Sequence, residues 1–247
     1  MRASESERAI SCPASLALPK DPRGPNEARD KAANWGTLVH WWKENNSTEM
    51  PGASKSDVLC LDKKLLLSGI DREEWWPTGK GEHETAFAFN LKTHTVKWYT
   101  GDKKAGDDWK AGYYQRPEWI TGTCDWSAEG PLLIKVDDLK TGRWPVSATD
   151  NKQLLTYAMP FWLRAGKPLV CLIHLSITQW ERYPLTGLPK RNWWKASGLE
   201  MMTHLQDLEH ALNSPGEMNP TDENCRFCDC KNNCPAFMTS GISFERH

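Results

Sequence analysis

The stretch ITGTCDWSAEGPLLIKVDDLKTG, residues 120–142, decides the fold of this chain. Alternating and β-prone residues predict two strands, at about Trp119–Asp125 and Leu132–Leu139, separated by a turn at 128–131. Residues two apart on a strand share a face, so Asp138 and Lys140 point to one side and Asp137 points to the other. If the two strands pair, Asp125 at the end of the first strand approaches Asp138.

Two convergent carboxylates make a site for a hard divalent cation, most naturally Mg²⁺ or Mn²⁺. The ammonium of Lys140, on the same face as Asp138, can orient an attacking water and offset negative charge in a transition state. A salt bridge at the end of a strand is the alternative interpretation of a D-x-K pattern on its own.

The elements around this stretch predict an α/β fold, a mixed sheet flanked by helices. We expect a single domain over residues 1–247, because no domain boundary or repeat is visible. Predicted helices cover about 4–18, 29–45, 149–165 and 194–213; a predicted hairpin covers about 84–91 and 93–99, a polar loop 100–117 and an apolar strand 169–177.

The composition limits the class of protein. The 31 Lys and Arg residues nearly balance the 32 Asp and Glu residues, which excludes a strongly basic protein that coats nucleic acid non-specifically. No apolar run approaches the roughly 20 residues needed to span a bilayer, and the first residues lack a signal-peptide core. We therefore expect a cytoplasmic protein, in the host cytoplasm if the source is viral, with no membrane partner.

Three further residues can join the carboxylates and the lysine. Gln153 and Tyr157 are four residues apart on a predicted helix, so they share a face and can both bond a phosphate or hold Lys140. His40 lies on the early helix and can supply a nitrogen ligand to the same metal, although a lone helical histidine is more often structural.

Four of the eight cysteines lie within ten residues near the C-terminus, in NCRFCDCKNNCPAF. Clustered cysteines in an intracellular protein indicate metal ligands before disulfides. A local zinc site from Cys225, Cys228, Cys230 and Cys234 is feasible on spacing, although Cys228 and Cys230 are cramped as ligands of one ion. If Cys230 is left out, the distant Cys12 can supply a fourth thiolate, and four thiolates also suit a 4Fe–4S cluster.

These motifs, in this order, resemble the RecB-like branch of the PD-(D/E)XK nucleases. That branch includes CRISPR-associated exonucleases, AddB-type helicase–nuclease subunits and phage nucleases. The resemblance extends from residue 12 to residue 237. It rests on GTLVH (36–40), GTCD (122–125), DLK with TG (138–142), QLLTY (153–157) and the cysteines Cys12 and Cys225-x2-Cys228-x5-Cys234.

The resemblance implies a restriction-endonuclease-like fold and a role for each matched residue. His40, Asp125 and Asp138 would bind the metal, Lys140 would be the catalytic lysine, and Glu84 could be a further acidic member. Gln153 and Tyr157 would position the reacting groups. Cys12, Cys225, Cys228 and Cys234 would hold a 4Fe–4S cluster, with zinc as the alternative, joining the terminal segments 1–20 and 215–240.

Two segments could contact nucleic acid. Residues 182–195, RYPLTGLPKRNWWK, interleave basic and aromatic residues, with two prolines that disfavour regular structure. Lys190, Arg191 and Lys195 could contact phosphates while Trp193 or Trp194 stacks a base; the alternative is a linker whose tryptophans begin a buried helix face. Lys103, Lys104 and Lys110 in the polar loop give a weaker signal.

The sequence thus predicts a metal-dependent DNA nuclease, an exonuclease on single strands or ends. One alternative is a non-catalytic protein that binds DNA ends. Another is a DNA-trimming subunit with a partner from recombination, integration or replication. The chain carries no G-x4-G-K-S/T phosphate loop, so we expect a nuclease unit without a fused motor.

Overall fold

A six-stranded mixed sheet forms the centre of the protein in this computed structural model, which describes residues 1–22, 27–69, 81–99, 116, 118–181, 188–226 and 228–243. The strand order is β2-β1-β3-β4-β5-β6. Strands β4 and β5 pair in parallel, and the other neighbours are antiparallel. The strands are β1 (Glu82–Asn90), β2 (Val96–Tyr99), β3 (Trp119–Gly130), β4 (Leu133–Lys140), β5 (Leu172–Gln179) and β6 (Lys190–Ser197).

Helices flank the sheet, as the sequence predicts. The parallel pair needs a crossover, and the helix that follows β4 supplies it. Asn151 caps this helix, its side chain accepting a hydrogen bond from the Leu154 backbone N–H at 3.0 Å. The helices are α1 (Ser6–Ser11), α2 (Glu27–Asn45), α3 (Lys55–Ser68), α4 (Lys152–Arg164), α5 (Gly198–Asn213), α6 (Asp222–Arg226) and α7 (Pro235–Thr239).

The two faces of the sheet bury different clusters. On one face, named the α4 face, Ile134, Val136 and Ile177 pack with residues of α4 and α5 in the larger core. On the other, named the α2 face, Trp126 and Leu139 pack with α2 and α3 in a smaller core. The strand alternation therefore directs Asp138 and Lys140 to the α4 face and Asp137 to the α2 face.

The two ends of the chain lie together. The backbone N–H of Ala14 donates to the backbone carbonyl of Glu217 at 2.8 Å, and that of Asp21 donates to the backbone carbonyl of Asp229 at 2.5 Å. Hydrogen bonds of this kind hold the segment that contains Cys12 against the segment that contains the other clustered cysteines.

Three predictions about the elements are corrected. The helix predicted from Trp194 begins at Gly198 instead, and the preceding residues form β6, so the prolines do not keep Lys190–Lys195 irregular. Proline disfavours a strand only where a ladder N–H is needed, and Pro189 lies just before β6. The apolar strand begins at Leu172 rather than 169, and the helix predicted over 4–18 is broken near Pro13.

The predicted polar loop lies almost entirely outside the described residues, including Lys103, Lys104 and Lys110.

The sequence analysis also missed one helix, α3. Its signals are present, because Ser54 caps its first turn and Gly69 ends it at a φ of 59°. Among the described residues, no helix is long and apolar enough to cross a membrane.

Candidate metal centre and active site

Two carboxylates from adjacent strands meet on the sheet, as the sequence predicts. Strands β3 and β4 pair Trp126 with Asp137, and one step further along the same register brings Asp125 beside Asp138. Asp125 is 8% exposed and Asp138 is 4% exposed. An Asp125 carboxylate oxygen accepts a hydrogen bond from the Leu139 backbone N–H at 2.5 Å, which fixes its orientation.

Burial shifts the titration of both carboxylates. Burial raises the pKa of Asp138 to about 6; the Lys140 ammonium opposes this rise, and the Asp125 carboxylate adds to it. Burial also raises the pKa of Asp125, with His40 and Lys43 acting in the opposite direction. Two carboxylates that resist ionisation when close together would be stabilised as anions by a bound cation.

Lys140, Gln153 and Tyr157 form a hydrogen-bonded chain beside Asp138. Lys140 Nζ lies 2.7 Å from Asp138 Oδ2 and donates to Gln153 Oε1 at 3.1 Å. Gln153 Nε2 in turn donates to the Tyr157 hydroxyl oxygen at 2.6 Å. Because Gln153 and Tyr157 are one turn apart on α4, the helix holds the lysine that the strand supplies.

His40 and Glu84 lie on the other side of Asp125. His40 Nδ1 is 3.6 Å from Asp125 Oδ1 and 3.7 Å from Glu84 Oε1. One potential ligand atom from each of these three residues lies within 4.8 Å of the other two, a spacing that could hold a metal ion. Asp138 is not in this group, and its Oδ2 lies beside the Lys140 ammonium instead.

The backbone at Glu84 departs from ordinary strand geometry. Glu84 has a φ of 50°, which non-glycine residues seldom adopt, although it lies within β1. The β1–β3 register places it opposite Asp125, between the pairs His83–Trp126 and Thr85–Cys124. A non-glycine residue held in this region costs about 1–3 kcal/mol and is typical of functional sites.

Helix α2 contributes charged groups that the sequence analysis did not identify. Burial raises the pKa of Glu44 to about 7, helped by a hydrogen bond with Glu84. Burial opposes protonation of His40, yet Glu84 and then Asp125 raise its pKa above the ordinary value. Lys43 is 2% exposed, and burial lowers its pKa while Asp125 and Glu84 oppose that effect. The available signal was helical spacing, because Lys43 and Glu44 follow His40 by one turn.

The clustered cysteines converge from both ends of the chain. Burial raises the pKa of the Cys225 thiol, and the thiols that add to this rise are Cys228, Cys12 and Cys234. The Asn219 backbone N–H donates to Cys12 Sγ at 3.4 Å, which ties the N-terminal thiol to this region. Among the described residues, no three of these sulfurs lie within 4.8 Å of one another, so no preformed cysteine site is present.

Cys230 has a separate environment. Its side chain is fully buried and lies 3.5 Å from the Ser15 carbonyl and 3.4 Å from the Leu18 carbonyl, to which the thiol donates. These contacts orient Cys230 toward the N-terminal segment.

The comparisons with known proteins leave the family open. No protein-family model and no curated protein matches this chain. One similar solved structure is a candidate exonuclease from Eubacterium rectale, with 11% identity, a TM-score of 0.48, and coverage of 98% of this chain and 93% of that chain. Another is SSO0001, with 14% identity, a TM-score of 0.41, and coverage of 97% and 87% respectively. Both TM-scores lie below 0.5, so neither similarity supports an assignment of function.

Proposed function

We propose that this protein is a metal-dependent DNA nuclease of the PD-(D/E)XK class, in its RecB-like branch, acting on single strands or DNA ends. The observation that carries the proposal is the position of His40, Glu84 and Asp125 next to the pair of Asp138 and Lys140. A carboxylate-rich ligand set beside a lysine suits hydrolysis of a phosphodiester.

The candidate site residues have different roles in the proposed hydrolysis. His40, Glu84, Asp125 and Asp138 would hold Mg²⁺ or Mn²⁺, which supplies positive charge to offset the charge that develops on the phosphate. Lys140 donates hydrogen bonds to the attacking water or to a phosphate oxygen. Gln153 limits the motion of the Lys140 ammonium, and Tyr157 orients the Gln153 amide.

The test is cleavage of end-labelled single- and double-stranded DNA with Mn²⁺, Mg²⁺ or EDTA. We expect cleavage with either metal and none with EDTA, and polarity follows from which labelled end is released first. Lys140→Met should lower kcat by about 10²–10⁴-fold while DNA binding persists, because the lysine acts mainly in the transition state. Lys97→Met, an exposed lysine on β2, is the matched control. Full activity of Lys140→Met, or equal activity in EDTA, would refute the proposal.

We further propose that Cys12, Cys225, Cys228 and Cys234 bind a 4Fe–4S cluster, with zinc as the alternative. The thiols of Cys228, Cys12 and Cys234 all add to the raised pKa of Cys225, which supports this ligand set. The Cys230 thiol has Cys228 as a neighbour but donates to backbone carbonyls instead. A tetrahedral zinc site would bring its sulfurs to about 3.8 Å from one another at Zn–S lengths of about 2.3 Å, so zinc would require these thiols to draw closer.

The cluster has its own readout, independent of nuclease activity. Anaerobically purified protein should be brown and contain iron. Cys12→Ser should lose colour and iron and lower the melting temperature, because the bond between the chain ends is lost. Cys230→Ser is the matched control and should stay brown, since a hydroxyl can donate to the same two carbonyls. A colourless protein that contains zinc and depends on Cys230 would overturn the assignment.

A further inference from the structure

Within the residues that the structure describes, the α2 face of the sheet has an exposed region at its β5–β6 edge. Helices α2 and α3 pack near Trp126, Leu139 and Trp180, toward β3. Beyond them, the Trp193 side chain on β6 is 57% exposed, although the neighbouring Trp194 packs against the larger core on the α4 face. One tryptophan of the doublet is therefore structural, and the other is presented to solvent.

Basic side chains surround the exposed indole. The strand register places Lys135, His174 and Lys195 in one row across β4, β5 and β6. Lys195 Nζ lies 5.5 Å from the centroid of the Trp193 ring, and the His174 ring meets the same indole edge-on, also at 5.5 Å. Arg191 follows on the same face of β6, two residues before Trp193.

The charge of this patch is one-sided. Among the side chains that β4, β5 and β6 direct to the α2 face, the carboxylate is Asp137, which is fully buried. Arg191 Nε lies 3.3 Å from Asp137 Oδ2, so that carboxylate is paired within the protein. Lys135 and Lys195 together with the exposed ring therefore favour a ligand that is both anionic and aromatic.

The dimensions suit a short run of nucleotides. Lys135 and Lys195 lie two strands apart, about 10 Å at ordinary strand spacing, and Arg191 and Lys195 lie about 13 Å apart along β6. A base can stack on an indole only if one of its faces is free of a stacked neighbour, which favours a single strand over a duplex.

We propose that this patch, formed by Lys135, His174, Trp193 and Lys195, binds single-stranded nucleic acid, with a base stacked on Trp193 and phosphates held by the two lysines. The patch contains none of the proposed metal ligands and stands independently of the nuclease proposal. If the nuclease proposal holds as well, the patch adds a second contact with the substrate strand, on the face of the sheet opposite Asp138 and Lys140.

The test is fluorescence anisotropy of a labelled oligo(dT) in EDTA, where cleavage cannot contribute. Trp193→Ala should weaken binding by about 5- to 150-fold. Lys195→Ala should lower the slope of log Kd against log salt by about 0.7, the value for one single-strand phosphate contact. Lys97→Ala is the matched control, since Lys97 is exposed on β2 at the opposite edge of the sheet, and should bind within about twofold of the wild type.

An abasic oligomer with the same sugar–phosphate chain separates stacking from charge. Wild type and Trp193→Ala should bind it equally, while Lys195→Ala should still be weaker. Trp193→Phe should keep most of the oligo(dT) affinity, which covers the case in which Trp193→Ala does not fold. Oligo(dT) binding by Trp193→Ala and Lys195→Ala that is unchanged, or that falls no further than in Lys97→Ala, would overturn the proposal. Equally tight binding of poly-glutamate through the same residues would show a surface for acidic peptide instead.

Discussion

Asp137 and Asp138 are neighbours on β4 but lie in opposite environments. Asp137 faces the α2 side, where Ser176 and Thr178 donate hydrogen bonds to its Oδ2 and Arg191 pairs with it. Asp138 faces the α4 side, where Lys140 is its cationic neighbour and a second carboxylate lies close by. Burial raises the pKa of each to about 6.

The difference between them separates a carboxylate held by the sheet from one that we propose as a metal ligand. The Asp137 carboxylate has hydroxyl and guanidinium donors from two other strands, which oppose the rise in its pKa that burial causes. Asp138 has Asp125 nearby, and that second carboxylate adds to the rise in its pKa instead. The same residue type, one position apart, is therefore bonded within the sheet on one face and lies beside a second carboxylate on the other.

The largest expected effect is the loss of cleavage in Asp138→Asn. Removing one metal carboxylate takes away several kcal/mol of transition-state stabilisation, about 10³-fold or more in kcat. The melting temperature without metal should stay equal or rise, because a repelled buried charge is removed. The measurement is Mn²⁺-dependent DNA cleavage beside thermal unfolding in EDTA, with Asp137→Asn as the neighbouring control. If Asp137→Asn lost cleavage equally while remaining folded, the distinction between the two faces would fail.

A buried histidine extends the comparison to pH. His204 on α5 is 1% exposed, with Nε2 lying 2.8 Å from Thr156 Oγ1, and burial lowers its pKa to about 3. The unfolded chain binds a proton on this histidine near pH 6.5, whereas the folded chain does so only near pH 3. The free energy of unfolding is therefore at its full value above pH 6.5 and falls as pH drops from 6.5 toward 3. At pH 4.5, two units below 6.5, the loss is about 2–3 kcal/mol.

Urea unfolding at a series of pH values measures this effect. His204→Gln, which can keep the bond to Thr156 without titrating, should flatten the pH dependence of the unfolding free energy between pH 6.5 and 4. His210→Gln, an exposed change on the same helix, should leave that dependence as it is. An unchanged slope in His204→Gln would show that other groups produce it.

Local sequence patterns predicted the strands around Asp125 and Asp138 and the faces on which the candidate site residues lie. Alternation on β4 correctly separated Asp137 from Asp138, and helical spacing correctly placed Gln153 with Tyr157 against Lys140. These relations depend on neighbours within one element or on one pairing of adjacent strands, which a pattern of period 2 or 3.6 encodes.

The parts that were missed depend on distant packing. Strand β6 has basic side chains at exposed positions. Its alternation of outward and core-facing side chains can be recognised only once Trp194 is known to face the core. Glu84 was only a weak candidate, because its φ of 50° and its place opposite Asp125 come from the β1–β3 register. Glu44 follows His40 by one helical turn, but its hydrogen-bond partner Glu84 comes from β1, so helical spacing alone does not show the pairing.

A smaller effect is expected when the structural aspartate is changed. Asp137→Asn keeps acceptors for Ser176 and Thr178 but removes the ion pair with Arg191, whose side chain is 34% exposed. The lost ion pair and the removed cost of burying a charge oppose each other, because burial raises the pKa of Asp137 to about 6. We therefore expect the free energy of unfolding at pH 7.5 to change by about 1 kcal/mol at most, with cleavage close to that of the wild type. Denaturant unfolding at pH 7.5, where Asp137 is ionised, checks the value. A fall of several kcal/mol would mean that the ion pair with Arg191 outweighs the cost of burial.

The smallest effect should come from Glu129, a carboxylate on β3 that solvent already stabilises. Its side chain and that of its partner Arg164 are both 45% exposed, so the pair should contribute less than about 1 kcal/mol, and less in high salt. Glu129→Gln should therefore change neither cleavage nor the melting temperature appreciably. Arg164→Ala should destabilise the protein more, because its guanidinium lies 4.4 Å from the centroid of the Trp98 ring and that contact is lost. Thermal unfolding of both variants in low and high salt makes the comparison. A larger loss of stability in Glu129→Gln than in Arg164→Ala would show that the ion pair, and not the ring contact, holds this edge of the sheet.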